Sequence, residues 1–435
     1  MSRKKKHVLG STGTALGLYV LSVLAVLCAC ASILGVKLAN APVLPWEPLI
    51  PLIAYAVGVP MALLWLKLSG WKGDAGLVGA IFLLCGIGLV IQFRMGSFAQ
   101  GLAKPATLLP FPLGLAAFMG GAWLTGGGRG QWLGKTGWLA YVGALGVLGV
   151  MLVLGRSFRG GMYMPGNMNP SEIVKPLLVF FLAAYLSRRQ KEFSETQSGI
   201  PIPPFHALLG LVGLWGVPML LTIALKDLGL MMLLNAVLIV MLFAIARRTG
   251  YLAISLAAVA AAGFGVQFLS AHARARFDVW LNPFADQTGK GWQILQALAA
   301  MYSGGLWGEG LGSGVPQSVP IVTSDFVYAA IAEEIGLVGC ALLLLVYAVL
   351  FSRGLRAAGA TRTPFERLLC VGLTGSLAVQ TILNVAGVTK ALPMTGITLP
   401  LISHGGSSLI TTLLVAGLLV GLSDKSKPAK RVKEE

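Results

Sequence analysis

The sequence predicts an all-α polytopic membrane protein with about twelve transmembrane helices. Its 435 residues include only 33 Lys or Arg and 16 Asp or Glu, which is 11% charged residues. Soluble domains carry about 25% charged residues, so this chain lacks the polar surface of a water-soluble protein of its size. Apolar residues make up 56% of the chain, and Gly reaches 57. This composition excludes a soluble enzyme, a disordered chain and a fibrous repeat.

Apolar runs of spanning length recur along the whole sequence. A helix that crosses the hydrocarbon core needs about 20 largely apolar residues. The first run follows a basic N-terminus, but it is too long for a signal peptide and no cleavage site of small residues follows, so we interpret it as a retained helix. The predicted spans cover residues 14–36, 48–66, 76–93, 106–124, 137–155, 172–187, 205–222, 229–246, 251–271, 326–352, 368–388 and 407–423.

Basic residues predict the orientation of these spans. If the N-terminus lies in the cytoplasm, the cytoplasmic segments contain 22 Lys or Arg residues and the outer segments contain 10. Cytoplasmic loops of membrane proteins carry such an excess, so both termini are predicted to be cytoplasmic. The net charge of +17 is thereby largely explained by topology, and no nucleic-acid partner is needed to account for it.

One connection is much longer than the others. Residues 272–325 form a predicted outer loop, and within it residues 290–302 have the pattern of a short amphipathic helix at the membrane interface. Long loops in compact proteins are usually functional. Since no soluble catalytic domain is present, any chemistry is expected at or within the outer leaflet.

Acidic residues gather in the predicted outer half of the molecule. Basic residues occur there too, which predicts a cavity for an anionic, lipid-linked substrate. Arg and Lys bind phosphate, and a carboxylate accepts a proton or holds a divalent cation. The acids are Glu172, Asp227, Asp278, Asp286, Glu309, Asp325, Glu333 and Glu334, and the bases are Arg156, Arg159, Lys175, Lys226, Arg274, Arg276, Lys290 and Lys390.

Several of these residues have a structural alternative. Glu172 and Lys175 are three residues apart on one helix and could neutralise each other. Asp227 could cap the helix that follows it. Carboxylates at residues 333–334 could simply favour the positive end of a helix dipole.

Asp286 has no such alternative. It follows Pro283 in a loop, it has no evident capping role, and Arg276 and Lys290 are near it in sequence. We therefore predict that Asp286 is a general base. His404, by contrast, is predicted to be a hydrogen-bonding loop residue. The Gly-rich segment 304–312 lacks the Lys of a phosphate loop and is predicted to form a tight turn.

Four stretches of the chain, in order, match a known family. Together they resemble the SEDS family, the FtsW/RodA/SpoVE peptidoglycan glycosyltransferases, over roughly residues 155–423. The chain departs from the family pattern at Asn169, Lys226, Asn282, Ile321 and His404. The stretches are Arg159 with Asn169-Pro170-Ser171-Glu172 and Lys175, then Asp227-Leu228-Gly229, then Arg276 through Asn282-Pro283 and Asp286 to Asp325 and Glu333-Glu334, and finally Asn384 through Lys390 to Ser403-His404-Gly405-Gly406-Ser407-Ser408.

The resemblance implies ten helices in all, three of them before the helix that carries Glu172. The N-terminal region 1–155, with about five predicted spans, would therefore carry two helices beyond the family core, residues 156–423 would form the catalytic core, and 424–435 would be a basic cytoplasmic tail. The resemblance also implies polymerisation of lipid II at the outer face of the bacterial cytoplasmic membrane, with inversion and release of undecaprenyl pyrophosphate. Asp286 matches the family's base. An assisting Mg²⁺ or Mn²⁺ ion and a class B penicillin-binding transpeptidase as partner are further implications.

Substrate binding is assigned to other residues of the matching stretches. Arg159, Arg276 and Lys390 would neutralise phosphate. The remaining candidates are Glu172, Lys175, Asp325, Glu333, Ser403 and Ser407.

Two other functions are compatible with a charged cavity in a membrane protein. One is a flippase or transporter of lipid II or another lipid-linked precursor. The other is a scaffold that only holds a transpeptidase. Against transport, the charges lie toward the outer face, and the sequence places no chain of acids through the membrane midplane.

Overall fold

Residues 49–158, 161–164, 169–194, 205–246, 265 and 271–426 are described in a computed structural model of the protein. Two of the predicted spans, 14–36 and 251–271, lie outside these ranges apart from residues 265 and 271. Arg159, a predicted substrate-binding residue, also lies outside them.

Most of the described helices are apolar on several faces, because a helix in a bilayer satisfies its own backbone and needs no polar side. Ten of them form at ten of the predicted spans. Two more, α8 and α9, lie within the predicted outer loop. In chain order the helices are α1 Ile50–Leu68, α2 Ala75–Arg94, α3 Pro110–Thr125, α4 Gly137–Leu154, α5 Ser171–Arg188, α6 Phe205–Ala224, α7 Leu228–Ala246, α8 Ala271–Leu281, α9 Trp292–Gly304, α10 Val327–Gly359, α11 Pro364–Val388 and α12 Gly406–Leu422.

Short elements connect the long helices. A two-stranded antiparallel hairpin, β1 Arg156–Phe158 and β2 Gly161–Tyr163, follows α4, with Arg156 opposite Tyr163. The all-α prediction therefore holds apart from this small hairpin. Single helical turns occupy Gly101–Ala103, Pro105–Leu108, Gly126–Gly128, Gly130–Leu133, Gly134–Thr136, Gln190–Ser194, Pro283–Asp286 and Pro316–Ser318.

Six of the described helical segments are long and apolar enough to cross a membrane: α1, α2, the segment Gly130–Leu154 that contains α4, α7, α10 and α11. Leu209–Ala224 and α12 are shorter apolar helices. The apolar windows of α2 and α11 are 78% and 72% buried, so these two helices form the centre of the bundle. The count of twelve spans stays a prediction.

Helices α3 and α12 pack backbone against backbone. A Cβ atom on Gly417 would lie 2.1 Å from the carbonyl oxygen of Phe118, and one on Gly121 would lie 2.7 Å from that of Leu414. The hydroxyl of Thr125 donates to the carbonyl of Leu418 across the same contact, at 2.8 Å. Small residues allow such close approach in membrane bundles, so this contact fixes α3 against the last helix.

Helix α10 is interrupted at Gly336, where φ is 67° and ψ is −174°. This differs from the prediction of one continuous helix over 326–352. The N–H groups of residues 309 and 310 donate to the carbonyls of residues 333 and 334, and those of 337 and 338 donate to residues 305 and 306. Such a break is tolerated because neighbouring backbone satisfies the freed groups. The Gly-rich segment is therefore a tight turn packed into the break.

Helix α9 confirms the predicted amphipathic segment of the outer loop. Its buried residues are Ile294, Ala297, Ala300 and Gly304, which recur at helical spacing on one face. Helix α8 was not predicted, because its sequence is rich in charge and lacks apolar periodicity.

Candidate active site

An open cavity of about 850 Å³ lies at the end of the bundle where α5 and α7 begin and α11 ends. This end corresponds to the predicted outer face. Its described lining comes from Asn169, Lys226, Asp227, Leu228, Ala275, Arg276, Val279, Trp280, Gly289, Lys290, Trp292, Gln293, Ile294, Pro320, Ile321, Ser324, Asp325, Phe326, Gly387, Lys390, Leu392, Met394, Thr395 and Gly396.

Basic side chains outnumber acidic ones in the cavity wall. The described lining includes four basic residues, Lys226, Arg276, Lys290 and Lys390, and two acids, Asp227 and Asp325. A low-dielectric cleft lined by one sign of charge concentrates ligands of the opposite sign. The cavity is therefore suited to an anion of more than one charge.

The side chains of Arg276 and Asp325 both lie beside Gly396. The Arg276 guanidinium donates to the carbonyl of Met394 at 3.0 Å. A Cβ atom on Gly396 would lie 3.6 Å from Nη2 of Arg276 and 3.8 Å from Oδ2 of Asp325. The backbone of Asp325 is held by Asn384, whose amide donates to its carbonyl at 2.8 Å. These contacts hold the guanidinium of Arg276 and the backbone of Asp325 in the wall.

Backbone strain is concentrated in the same cavity. Among the described residues, four that are not glycine have positive φ, and three of them line the cavity: Lys226 (59°), Ile321 (56°) and Lys390 (61°). The fourth is Leu401. This conformation costs roughly 1–2 kcal/mol per residue, and strained residues cluster at functional sites. Trp280 stabilises one of them, because its indole N–H donates to the Lys390 carbonyl at 3.0 Å.

Asp286 lies exposed at the edge of this cavity, in the helical turn Pro283–Asp286. Its Oδ2 accepts a hydrogen bond of 2.9 Å from the backbone N–H of Lys290. Gly289 and Lys290 both line the cavity. A Cβ atom on Gly289 would lie 2.5 Å from each carboxylate oxygen, so the carboxylate occupies the space that glycine leaves. The backbone N–H of Lys290 therefore orients the carboxylate through one of its two oxygens.

Glu172 and Lys175 form the pair that their spacing suggested. Lys175 Nζ lies 2.8 Å from Glu172 Oε2, and both side chains are buried. They do not line the cavity but lie behind Asn169, whose Oδ1 accepts from the hydroxyl of Ser171 at 2.6 Å. Their predicted contact with substrate stays a prediction, and mutual neutralisation is what the geometry supports.

Asp227 both caps α7 and lines the cavity. Its Oδ1 accepts from the N–H of Leu230 at 2.9 Å, and Oδ2 accepts from the Ser171 hydroxyl at 3.3 Å. Burial raises the pKa of Asp227, and the hydrogen bond from Leu230 partly opposes that rise. The capping alternative is therefore confirmed.

The carboxylates of Glu333 and Glu334 lie outside the cavity lining. Oε1 of Glu333 accepts from the N–H of Val315 at 2.7 Å, whereas its buried Oε2 has no hydrogen-bond partner among the described residues. Glu334 pairs with Arg94, the last residue of α2. Sequence analysis missed Arg94. The available signal was its position immediately after the apolar run 76–93, beside a face rich in acids.

The two predicted serines do not reach the cavity either. Ser403 donates to the carbonyl of Ser324 at 2.5 Å and accepts from the N–H of Leu399 at 2.8 Å. It therefore supports the cavity wall from behind, since Ser324 lines the cavity. Ser407 is half-buried in the first turn of α12 and is not part of the described lining. Their substrate contacts remain predictions.

His404 is a hydrogen-bonding loop residue, as predicted. Its backbone N–H donates to the carbonyl of Thr323 at 2.8 Å, and its ring meets that of Phe98 edge-on. Burial, assisted by the charge of Lys104, lowers the pKa of His404. The residue belongs to the wall behind the cavity.

A resident metal ion does not fit the residues of this site. Within the described ranges, no three His, Cys, Asp or Glu side chains come together as a metal centre. Among the described lining residues, Asp227 and Asp325 are the two with carboxylates, and Asp286 lies at the edge. Mg²⁺ can bind through one or two carboxylates, but it then needs phosphates and water as further ligands.

Comparison with known proteins decides the family. The model of the FtsW/RodA/SpoVE family, described as cell cycle protein, matches residues 136–428. The chain belongs to this family. It is accordingly a multi-pass membrane protein, and the matched region contains every described residue of the cavity wall.

Over the aligned residues, named relatives are about one third identical to this chain. The "Peptidoglycan glycosyltransferase RodA" of Mycobacterium tuberculosis (strain ATCC 25618 / H37Rv) is 36% identical over 274 residues, which cover 62% of this chain and 58% of that protein. "Stage V sporulation protein E" of Bacillus subtilis (strain 168) is 35% identical over 264 residues, covering 60% of this chain and 70% of that protein. The chain thus spans less than two thirds of the length of the mycobacterial relatives it matches.

Solved structures have the same fold as this FtsW/RodA/SpoVE family member over most of its length. A chain from work titled "Structural coordination of polymerization and crosslinking by a peptidoglycan synthase complex" has a TM-score of 0.60 and 27% identity, covering 80% of this chain and 97% of that one. The crystal structure of Thermus thermophilus rod shape determining protein RodA has a TM-score of 0.57 and 26% identity, covering 81% and 97%. The helical membrane fold is therefore shown.

Proposed function

We propose that this protein is a peptidoglycan glycosyltransferase that polymerises lipid II at the outer face of the bacterial cytoplasmic membrane. The observation that carries the proposal is the cavity with four basic residues at one end of the helical bundle, with the carboxylate of Asp286 at its edge. The names of the family relatives support it.

Asp286 acts as the general base in the proposed reaction. The 4-hydroxyl of one disaccharide transfers its proton to the carboxylate as its oxygen forms a bond to the anomeric carbon of another lipid-linked sugar. The bond from that carbon to the pyrophosphate breaks with inversion, and the electron pair leaves on the pyrophosphate. A positioned base contributes about 10²- to 10⁴-fold to such a step.

The basic residues of the cavity stabilise the departing pyrophosphate. The guanidinium of Arg276 is held by its hydrogen bond to Met394, which keeps its charge in place before the reaction, and Lys390 is held at its backbone carbonyl by Trp280. Charges that are already oriented cost no reorganisation when negative charge develops. Lys226 and Lys290 add to the positive potential of the cavity. Arg159 is proposed, from the sequence, to stabilise the pyrophosphate as well.

Mg²⁺ or Mn²⁺ enters the proposal only as an ion that accompanies the pyrophosphate of the substrate. The two carboxylates of the cavity, Asp227 and Asp325, are too few to hold it alone. No step assigned to Asp286 or to the basic residues depends on it.

A class B penicillin-binding transpeptidase is the proposed partner. The similar structure comes from a peptidoglycan synthase complex in which polymerisation and crosslinking are coordinated, which supports a partner of this kind. Both termini are proposed to be cytoplasmic, on the basis of the distribution of basic residues.

The test uses the purified protein, its transpeptidase and labelled lipid II. The wild type is expected to form glycan chains, Asp286→Ala to form almost none, and Asp278→Ala to act like the wild type, because Asp278 is an exposed acid of α8 outside the cavity lining. Equal chain formation by Asp286→Ala would show that the assigned base is wrong. If neither the wild type nor the variants form chains, but the wild type moves lipid II across liposome membranes, the protein is a transporter.

A further inference from the structure

A second pocket, of about 120 Å³, lies at the opposite end of α5 from the cavity. Helix α5 has 18 residues, which at 1.5 Å per residue separates its ends by about 27 Å. That distance is close to the thickness of a bilayer's hydrocarbon core, so the pocket lies at the other membrane surface, predicted to be cytoplasmic. Its described lining is Gly137, Trp138, Phe181, Ala184, Tyr185, Arg188 and Arg189.

Two guanidinium groups provide the charge of this pocket. Arg188 donates to the carbonyl of Gly134 at 3.0 Å. Arg189 lies over the ring of Tyr185, with Cζ 4.5 Å from the ring centroid, and also donates to the Tyr185 hydroxyl. Each guanidinium has five N–H donors, so these contacts orient the groups and leave further donors for a ligand. Glu192 also acts electrostatically on Tyr185. The positive charges of Arg188 and Arg189 outnumber the single negative charge of Glu192.

Aromatic rings form the remaining walls. The ring of Trp138 lies 5.5 Å from that of Phe181, and Phe181 lies 5.8 Å from Tyr185. Helices α4 and α5 are in close contact at the base, because a Cβ atom on Gly137 would lie 2.4 Å from Cβ of Ala184. Apolar walls with cationic groups are typical of headgroup sites between membrane helices, and Trp and Tyr favour this depth.

The surface beside the pocket is suited to an acyl chain. Trp138 is 50% exposed, and the next outward residues of α4, Leu139 and Val142, are 72% and 63% exposed. A ligand held by its phosphate could therefore extend hydrocarbon along the lipid-facing side of α4. A free anion would use the arginines but not this apolar surface.

We propose that this pocket binds the phosphodiester of an anionic phospholipid from the leaflet opposite the active-site cavity. The guanidinium pair favours phosphate, forming charge-assisted and bidentate hydrogen bonds, and disfavours headgroups that carry a positive charge. The pocket has room for a phosphate and adjoining glycerol carbons. The site is independent of the proposed glycosyltransferase activity.

The experiment uses the full-length protein, purified in detergent, stripped of lipid and titrated with phosphatidylglycerol or phosphatidylcholine. Bound lipid is counted by native mass spectrometry. We expect Arg188→Gln with Arg189→Gln to weaken phosphatidylglycerol binding about 30-fold, because each of the two basic residues near an anionic lipid contributes about 1 kcal/mol. The matched control is Arg356→Gln with Arg367→Gln, two exposed arginines at the same end of the bundle, which should bind like the wild type.

A second measurement does not depend on the folding of the arginine variant. Brominated phosphatidylglycerol should quench the tryptophan fluorescence of the wild type more than brominated phosphatidylcholine, and Trp138→Phe should remove the difference. Equal binding of phosphatidylglycerol by wild type and arginine variant would overturn the proposal. So would equal quenching by the two lipids, or displacement of phosphatidylglycerol by inorganic phosphate alone, which would indicate a site for a free anion.

Discussion

Nε of Arg94 lies 2.7 Å from Oε1 of Glu334, and neither side chain is more than 9% exposed. The contact is a close, buried ion pair. Nη2 of Arg94 donates to the carbonyls of Gly312 and Gly314, at 3.0 and 2.8 Å, and Oε2 of Glu334 accepts from the N–H of Gly312 at 3.0 Å. The pair thus joins the end of α2 to the Gly-rich turn and to the broken part of α10.

Removing one member of this pair should strongly destabilise the protein. We expect Arg94→Met to lower the free energy of unfolding by about 3–5 kcal/mol, because Glu334 is left as a buried charge without its partner. Arg94→Met combined with Glu334→Leu should cost less than Arg94→Met alone. Thermal or denaturant unfolding in detergent measures all three proteins.

The control is the partly exposed pair of Arg353 and Asp74, whose atoms lie 3.3 Å apart with side chains 39% and 24% exposed. Arg353→Met should cost only about 0–1 kcal/mol. Similar losses for Arg94→Met and Arg353→Met would contradict the role given to the buried pair.

Gly289→Ala should impair the reaction without unfolding the protein. The new Cβ atom would lie 2.5 Å from both oxygens of Asp286 and would displace that carboxylate. A misplacement of about 1 Å can cost about 10²-fold in rate, so we expect a loss of that order in glycan polymerisation. The control is Gly213→Ala in α6, where the added Cβ has no described atom within 4 Å apart from its chain neighbours and its own helix backbone. Full activity of Gly289→Ala would argue against a precisely placed Asp286.

The sequence predicted the elements whose signals are local. Runs of apolar residues are sufficient to specify helices in a bilayer, where the backbone must pair with itself. The cap by Asp227 and the pairing of Glu172 with Lys175 are also local, because the partners are three residues apart. The loop position of Asp286 is also a local signal, and in the structure this residue lies at the edge of the cavity.

Features that depend on distant partners could not be predicted. The break at Gly336 is stable only because residues 305–310 supply and accept four backbone hydrogen bonds. Arg94 and Glu334 are far apart in the sequence, so no rule based on local spacing could predict that they form a pair. The positive φ of Lys226, Ile321 and Lys390 likewise requires the surrounding fold, since these side chains normally disfavour that conformation.

The strained backbone at Lys390 gives a prediction that separates charge from conformation. Its φ of 61° is accessible to glycine but costs other residues about 1–2 kcal/mol. Lys390→Gly should therefore be more stable than Lys390→Ala by about 1 kcal/mol, whereas both should weaken lipid II binding equally because both remove the charge. Unfolding and binding measurements on the two variants test this.

The neighbouring Thr389 is the control, because its φ of −80° is ordinary. There the order of stability should reverse, with Thr389→Ala more stable than Thr389→Gly. If glycine and alanine rank the same way at both positions, the strain at Lys390 is not what governs its stability.

His404 should make the protein less stable in mild acid. Burial and the charge of Lys104 hold its folded-state pKa below the ordinary value of 6.5. A histidine with a lowered pKa contributes stability above the unfolded value, and that stability is lost as the pH falls toward the folded pKa. The free energy of unfolding should accordingly decrease from about pH 6.5 downward in the wild type. It should decrease less in His404→Gln, which cannot be protonated.

Lys104→Gln provides the second arm of this test. Removing that charge should raise the pKa of His404 partway toward its ordinary value, so the loss of stability in acid should be intermediate. Unfolding curves between pH 4.5 and pH 8 give the comparison. Identical pH dependence in the wild type and His404→Gln would show that another group titrates, and an unchanged curve in Lys104→Gln would leave burial as the sole cause of the shift.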